Sequence, residues 1–218
     1  SAEPAARRPE YGYHSQIAAS ADTEKWVEID LGRDVELSSV VLHPCHDDFA
    51  GIGAGFGFPV RYRIEVSSAV QRSAKESPDI VLDAAATDMS NPGIAPVTTH
   101  CRVTARYVRI VATKLATRQN DFILALAELE VLASDGTNVA ANATTTALDS
   151  IEAPERWRMS NLTDVIWPTA ADPDAARTLS EVQQTRDTLL KTLNTDERRT
   201  RRETLTQQLA IMNKELSG

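Results

Sequence analysis

The sequence has little of several features that would narrow its function at once. Only two cysteines occur among its 218 residues, Cys45 and Cys101, and they form no Cys-x-x-Cys pair, so neither a disulfide framework nor a common zinc spacing is present. We expect both thiols to be free. No run of about 18 apolar residues occurs, which excludes an ordinary membrane-spanning helix. Membrane insertion is therefore not expected.

Positive charge is also in deficit. The chain has 23 Lys and Arg against 31 Asp and Glu, a formal net charge of -8. Non-specific binding to nucleic acid depends on clustered Lys and Arg that displace counterions from the phosphates. A nucleic-acid partner is therefore not expected.

Motifs for catalysis are lacking as well. There is no Gly-x-Ser-x-Gly nucleophile elbow, and the glycine run over 51–57 does not open a helix after a strand, as a dinucleotide-binding loop does. Carboxylates are numerous, but no motif sets a pair of them at a fixed separation in a cleft. Cys45 and His46 are adjacent, and neighbours in a loop rarely orient for nucleophilic catalysis. The sequence predicts a protein that is not an enzyme.

What the sequence does contain is a series of short β-strand patterns separated by Gly, Pro, Asn and Asp. Within 106–111 charged and apolar residues alternate, which predicts a strand with one solvated and one buried face. No alternation of strands with helices appears. The pattern predicts a mainly β fold, an antiparallel β-sandwich. Its strand candidates are residues 26–31, 35–42, 60–67, 80–82, 102–112 and 125–132.

The composition changes after residue 136, and three regions follow from it. Residues 1–136 form the predicted sandwich, and residues 137–175 form an extension that is either a linker or a strand laid on an edge. Residues 176–218 carry a capping-box pattern at Thr178 to Glu181 and leucines at helical spacing. They predict a helical hairpin or one long helix with a coiled-coil-like stripe. Because so narrow a stripe buries little surface alone, we expect it to self-associate or to pack on a parent protein.

Four blocks of the chain, taken in order, resemble the discoidin family, the coagulation factor 5/8 type C domains. The first is Lys25 to Gly32, where a tryptophan two residues before an acid leads into Asp-Leu-Gly; residues 61–67, 105–110 and 127–131 follow. The resemblance covers roughly residues 11–134. It implies an antiparallel jelly-roll β-sandwich of the galactose-binding-domain kind, with ligand-binding loops at one end, as in family 32 carbohydrate-binding modules.

Two departures from the family pattern bear on metal binding and on domain organisation. The resemblance implies a structural calcium ion with Asp22 and Glu128 as the matching ligands, although the usual segment before the tryptophan is missing. An arginine partner or an outward orientation are the alternatives for Glu128. Residues 138–164 resemble that missing opening segment, and they either begin a second copy or complete the first.

The resemblance also implies a site. Three segments would meet at one end of the sandwich, and their polar and aromatic side chains suit the hydroxyls and the apolar face of a sugar. We expect a glycan or cell-surface polysaccharide as partner; the alternative is a structural or protein-interaction domain without a sugar site. An arginine that sugar-binding relatives carry in the loop after Leu42 is absent there. The candidate ligand-binding residues are Tyr13, His14, His46, Asp47, Asp48, Arg118, Asn120, Asp121 and Phe122.

The arrangement of the whole chain resembles internal pieces of large multidomain secreted proteins of planctomycete-type bacteria. This resemblance implies a fragment of a longer bacterial protein that is secreted, periplasmic or on the cell surface.

Overall fold

A computed structural model describes residues 8–68 and 77–168 and, beyond them, only residues 201, 204, 205, 208 and 212. The chain divides into two compact units, residues 1–169 and 170–218. The predicted helical segment over 176–218 lies outside the described residues except for those five positions, so the hairpin stays a prediction. Within the described part of the chain, no helix is long and apolar enough to cross a bilayer.

The mainly β class is confirmed, and all strand pairs are antiparallel. The 3-10 helices in the described residues are Phe49–Gly51 and Met159–Thr163. The strands are β1 Tyr13–His14, β2 Lys25–His43, β3 Cys45–Asp47, β4 Gly53–Phe56, β5 Arg61–Ser67, β6 Asp79–Asp83, β7 Val97–Lys114, β8 Ala116–Thr117, β9 Phe122–Ile123, β10 Ala125–Leu126, β11 Glu128–Ala133 and β12 Thr144–Ala147.

One large sheet has the order β11-β2-β7-β5-β6, and β12 pairs with β2 as well. The alternating positions Val27 and Ile29 of β2 and Val108 and Ile110 of β7 point to the same buried face, as period-two patterning requires. The short pairs β1–β10 and β8–β9 contribute residues to the core against that face, whereas the pair β3–β4 packs in a second cluster. The result is a two-layer β-sandwich.

Residues 137–168 belong to this sandwich. Strand β12 pairs with β2 from Thr144 opposite Asp30 to Ala147 opposite Val27. Leu162, in the second 3-10 helix, is fully buried in the main core. The extension therefore closes the sandwich as a packed strand and loop.

Three polar contacts with Asp149 fasten the extension to residues 13–25. The Tyr13 hydroxyl donates to the backbone carbonyl of Asp149 at 3.0 Å. The Asp149 carboxylate accepts the backbone N–H of Gln16 at 2.8 Å and pairs with the buried ammonium of Lys25.

A second apolar cluster lies on the other side of the short strands. It contains Ile123, Ala125 and Ala127, whereas the alternate residues Leu124 and Leu126 face the main core. The segment 122–127 is therefore buried on both faces, which explains why it is apolar without alternation. Trp157 of the extension, Phe56 of β4 and Cys45 of β3 form the rest of this cluster.

Gly57, which directly follows β4, determines how closely β4 approaches the segment 122–127. Its carbonyl accepts the N–H of Ala125 at 2.8 Å, and its φ of +70° lies in the left-handed region that favours glycine. A Cβ at Gly57 would lie 2.5 Å from the Ala125 Cβ. Any larger residue would push apart the two segments that carry the candidate site.

Candidate functional site

The candidate site lies where the start of the chain, the β3 region, the β8–β9 turn and the extension come together. His14 is close enough to Asp47, Arg118 and Asp121 for all three charges to act on its pKa. The structure therefore brings together four of the residues that the sequence singled out. We call this group, with Phe49, Arg156 and Trp157, the apical cluster.

Arg118 and Asp121 form a two-pronged ion pair at the β8–β9 turn. Nε and Nη2 of Arg118 donate to Oδ1 and Oδ2 of Asp121 at 2.9 and 2.7 Å, and the backbone N–H of Arg118 donates to the Asp121 carbonyl at 2.9 Å. The guanidinium carbon lies 4.8 Å from the centre of the Phe49 ring, which is 43% exposed. A planar guanidinium has five N–H donors; two are held here, and the others remain for a ligand.

Arg156 and Asp47 form a second pair. Nη2 of Arg156 lies 2.7 Å from Oδ2 of Asp47 in an ion pair, while Oδ1 accepts the backbone N–H of Phe49 at 2.9 Å. The guanidinium also lies 5.4 Å from the centre of the Trp157 ring. Each arginine of the apical cluster thus has one carboxylate and one aromatic neighbour, an arrangement that keeps both guanidinium planes fixed.

His14 lies beneath these pairs and is almost fully buried. Its ring meets Trp157 edge-on with the ring centres 5.0 Å apart. Burial lowers the pKa of His14 below its ordinary value, so the ring is neutral at pH 7. Because Nδ1 lies 2.6 Å from the Ser15 carbonyl, Nδ1 carries the proton and Nε2 is the acceptor.

A cavity of about 190 Å³ is lined by residues that are near members of the cluster in sequence. Ile52 and Thr117 in its wall are close in sequence to Phe49 and Arg118. The cavity is smaller than the about 300–1,000 Å³ typical of sites for drug-sized ligands, which suits a single ring with its substituents. The remaining lining residues are Gly55, Gly57, Phe58, Pro59, Val60, Met89, Ser90, Asn91 and Ala116.

Two of the sequence-predicted ligand residues are turned inward. Tyr13 is fully buried and its hydroxyl is bonded to the extension, so it holds the fold together and cannot stack on a ligand. Phe122 packs against the main core and its backbone pairs with Ala18. The exposed ring of the region is Phe49 instead.

Three further predicted residues, His46, Asp48 and Asn120, lie on the surface. His46 Nε2 is 3.3 Å from Asp48 Oδ1, and Asp48 is 91% exposed. Asn120 is exposed in the β8–β9 turn beside Arg118. The segment from Cys45 to Asp47 is strand β3 rather than a loop, which buries Cys45 while leaving its neighbour His46 half-exposed.

Sequence reasoning missed Arg156 and Trp157. Both come from the extension, which carries no local pattern for a site. One signal was present: the apolar segment 122–127 does not alternate, so it needs cover on its second face, and Trp157 supplies part of that cover. Arg156 also reaches the β3 region, where the expected arginine is absent from the sequence.

Glu128 and Asp22, the residues matched to a calcium site, are not brought together. Asp22 precedes β2, whereas Glu128 pairs with His43 at the other end of that strand. Glu128 Oε1 accepts the N–H of Val165 at 3.1 Å, and its buried Oε2 has no partner among the described residues. Burial, with a smaller contribution from the nearby Asp164, raises the pKa of Glu128 to about 9.

The environment of Glu128 meets some of the requirements of a cation site. The orphaned oxygen and the carboxylate of Asp164 suit a hard cation that takes oxygen ligands. Within the described ranges, however, no group of three or more His, Cys, Asp and Glu is arranged to hold a metal. The further ligands would have to be backbone carbonyls or water.

The acids and the thiol of this region are poorly suited to catalysis. Arg118 holds the pKa of Asp121 below its ordinary value, whereas a general acid needs a raised pKa. Burial raises the pKa of the enclosed Cys45 thiol far above its ordinary value, so it provides no thiolate nucleophile.

No model of a known protein family matches the chain, and no curated protein matches it either. Solved structures do match over about half of it. One is chitosan-binding module 1 of a chitosanase/glucanase from Paenibacillus sp. IK-5, at 23% identity and TM-score 0.38, covering 53% of this chain and 73% of that one.

Two further matches have similar scores. The family 32 carbohydrate-binding module of C. perfringens NanJ, solved with galactose, has 18% identity and TM-score 0.40 and covers 54% of this chain and 73% of its own. The lectin domain of lectinolysin, solved with Lewis B antigen, has 18% identity and TM-score 0.37, with coverage of 53% and 69%. At these identities and scores the matches assign this chain to no family.

Proposed function

We propose that this protein is a non-catalytic module that binds a neutral glycan at the apical cluster. The observation that carries the proposal is the presence of two arginine–aspartate ion pairs, Arg118 with Asp121 and Arg156 with Asp47, each beside an aromatic ring. A cavity of about 190 Å³ is lined by Thr117, which directly precedes Arg118 in the sequence.

The chemistry of the cluster matches that of a sugar ring. Vicinal hydroxyls both donate and accept hydrogen bonds, so they need donors and acceptors side by side, as a guanidinium next to a carboxylate offers. The half-exposed Phe49 ring gives an apolar surface for the C–H face of a pyranose. Because each cation is balanced by a carboxylate and the chain carries net charge -8, a neutral glycan fits better than a polyanionic one.

Glycan binding is tested first by screening. The whole chain is applied to a glycan array and run in native gels that contain single neutral polysaccharides. The proposal expects retention by at least one neutral glycan and its loss in Arg118→Ala. Arg102→Ala is the matched control. Arg102 is 90% exposed on β7, and its ion pair with Glu36 is long, at 3.6 Å.

Binding that survives Arg118→Ala, or a folded protein that no glycan retains, would overturn the proposal. Arg118→Lys separates charge from geometry, because lysine keeps the charge but loses the planar fork. We expect Arg118→Lys to bind nearly as weakly as Arg118→Ala.

The second candidate is a structural or protein-interaction domain. It is favoured by one observation: both arginines of the apical cluster already have carboxylate partners, so neither needs a ligand. It predicts a defined oligomer in light scattering together with no shift in any polysaccharide gel. A monomer that a polysaccharide retards supports the glycan instead.

A structural calcium ion at Glu128 is part of the same proposal. Glu128 with its orphaned oxygen and Asp164 would supply carboxylate ligands, while Asp22 would take no part. Calcium is expected to raise the unfolding temperature of the wild-type protein above its value in EDTA, and to have no such effect on Glu128→Gln. An equal calcium effect on both proteins would contradict it.

The proposal extends to location. A glycan-binding module meets its polysaccharide outside the cytoplasm, so we place the parent protein in the secreted, periplasmic or surface fraction of a bacterium. Fractionation with an antibody against the chain tests this, and a purely cytoplasmic signal would contradict it.

A further inference from the structure

A second pocket lies on the flank of the sandwich, between the start of β12 and the second 3-10 helix. Its volume is about 450 Å³, within the about 300–1,000 Å³ range of ordinary ligand sites. It shares no lining residue with the apical cluster. The lining residues of this flank pocket are Ala143, Thr144, Thr145, Glu152, Arg158, Met159 and Ser160.

Arg158 supplies the pocket with an uncommitted cation. Its backbone is fixed, because its N–H donates to the Gly12 carbonyl at 3.2 Å. Among the described residues, however, its half-buried side chain has neither an ion pair nor a hydrogen bond, in contrast to Arg118 and Arg156. A guanidinium held near a pocket without a partner is a set of five donors available to a ligand.

Glu152 supplies a fixed acceptor in the same pocket. Its Oε1 accepts the N–H of Met159 at 3.1 Å and the hydroxyl of Ser150 at 2.8 Å. These bonds orient the carboxylate without neutralising it, and no cation of the described part of the chain pairs with it. Arg158 and Glu152 therefore line one pocket without bridging each other.

Hydroxyl and apolar groups complete the lining. The hydroxyl of Thr145 is buried and has no hydrogen-bond partner within the described ranges. Thr144 and Ser160 add two more hydroxyls, and Met159 adds an apolar surface.

We propose that the flank pocket is a second binding site, for a neutral, hydroxyl-rich ligand the size of one or two sugar units. A vicinal diol can accept a hydrogen bond from the Arg158 guanidinium and donate one to the Glu152 carboxylate, two groups that do not pair with each other. An anion would be repelled by Glu152, and a cation by Arg158. This inference rests on the proposed glycan-binding function and extends it: two sites on one chain raise the affinity for a polymer through effective concentration.

The test is amide chemical-shift mapping of the whole chain with neutral disaccharides, namely lactose, cellobiose and N,N′-diacetylchitobiose. We expect two separate groups of shifted amides, one over residues 118–121 and one over 144–145 and 158–160. Arg158→Met is expected to raise the dissociation constant measured from the second group of amides at least about tenfold, since hydrogen bonds to charged groups are the stronger ones. The dissociation constant measured from the first group should be unchanged. Arg118→Met should do the reverse.

The outcomes separate this inference from the proposed function. Shifts over 118–121 alone would overturn the flank site and leave the apical site standing. Shifts over 144–145 and 158–160 alone would support the flank site and overturn the apical one, and shifts in neither region would overturn both. Arg33→Met, at an exposed arginine that lines neither site, is the control for loss of charge.

Glucuronic acid and glucosamine test the charge argument. Binding of either charged sugar at the flank site as tight as that of its neutral counterpart would contradict a neutral ligand. Glu152→Gln keeps the hydrogen-bond geometry while removing the charge, so it is expected to bind the acidic sugar better than the wild-type protein does.

Discussion

Arg156 Nη2 lies 2.7 Å from Asp47 Oδ2 in an ion pair that joins the extension to the β3 region. Asp47 is held on its other side by the backbone of Phe49, and the Arg156 guanidinium is fixed beside the Trp157 ring. The extension therefore does more than close the sandwich. It supplies an arginine to the site at the place where the sequence of that region lacks one.

The extension is expected to be essential for stability, and Trp157 to be its main anchor. Trp157 is 9% exposed and packs on Phe56 and His14. Truncating a buried tryptophan to alanine costs about 3–5 kcal/mol, so Trp157→Ala should lower the free energy of unfolding in urea by that amount. Leu148→Ala, at a residue more than half exposed in the same extension, should change it by less than about 0.5 kcal/mol. Equal effects would contradict the buried position of Trp157.

Lys25 and Asp149 form the ion pair that fixes the extension to β2. The Lys25 side chain is nearly buried while Asp149 keeps about a quarter of its exposure, so solvent screens part of the interaction. Lys25→Met should therefore cost less than the about 3–5 kcal/mol of breaking a fully buried pair. Adding Asp149→Asn should recover part of the loss, because the carboxylate is then no longer unpaired. A double-mutant cycle with strictly additive losses would show that the two groups do not interact.

The stability of the metal-free protein should fall as the pH rises, because of Glu128. Its pKa is about 9 in the folded protein against an ordinary 4.5, so the folded state holds a proton that the unfolded state loses first. The stabilisation is complete below the unfolded pKa and is lost as the pH rises through about 9. In EDTA, the free energy of unfolding of wild-type protein should drop relative to Glu128→Gln between those two values. Parallel pH profiles would refute a raised pKa at Glu128.

The two thiols should differ in reactivity with a disulfide reagent. Cys45 is fully enclosed and Cys101 is partly exposed. One thiol per chain should react in the native protein, and the second only in denaturant. Cys101→Ser should abolish the native reaction. A native reaction that persists in Cys101→Ser would show that Cys45 is accessible.

The sequence predicts the large sheet well, because period-two patterns are local. The block from Lys25 to Gly32 lies in β2, and the alternating residues 106–111 lie in β7. The site residues at positions 14, 47, 118 and 121 also come together, since they follow from the order of the strands. These features need only the pattern of each strand and its neighbours.

The inward residues could not be told from the outward ones by residue type. Tyr13 and Phe122 have the rings expected of a ligand platform, yet Tyr13 is covered because the Asp149 carbonyl accepts its hydroxyl. The ring that is exposed, Phe49, stands in a 3-10 turn whose direction depends on Asp47. Which segment covers a strand is decided by packing between distant parts of the chain, and no local pattern encodes it.

The apical site itself is tested most directly by titration calorimetry with the neutral glycan that the array identifies, using wild-type protein, Arg118→Ala and Arg156→Lys. Binding at the two arginines predicts that the wild-type protein binds and that each variant weakens binding at least about tenfold, as loss of a charge-assisted hydrogen bond does, while unfolding curves show both variants folded. Unchanged affinity in both folded variants would contradict it.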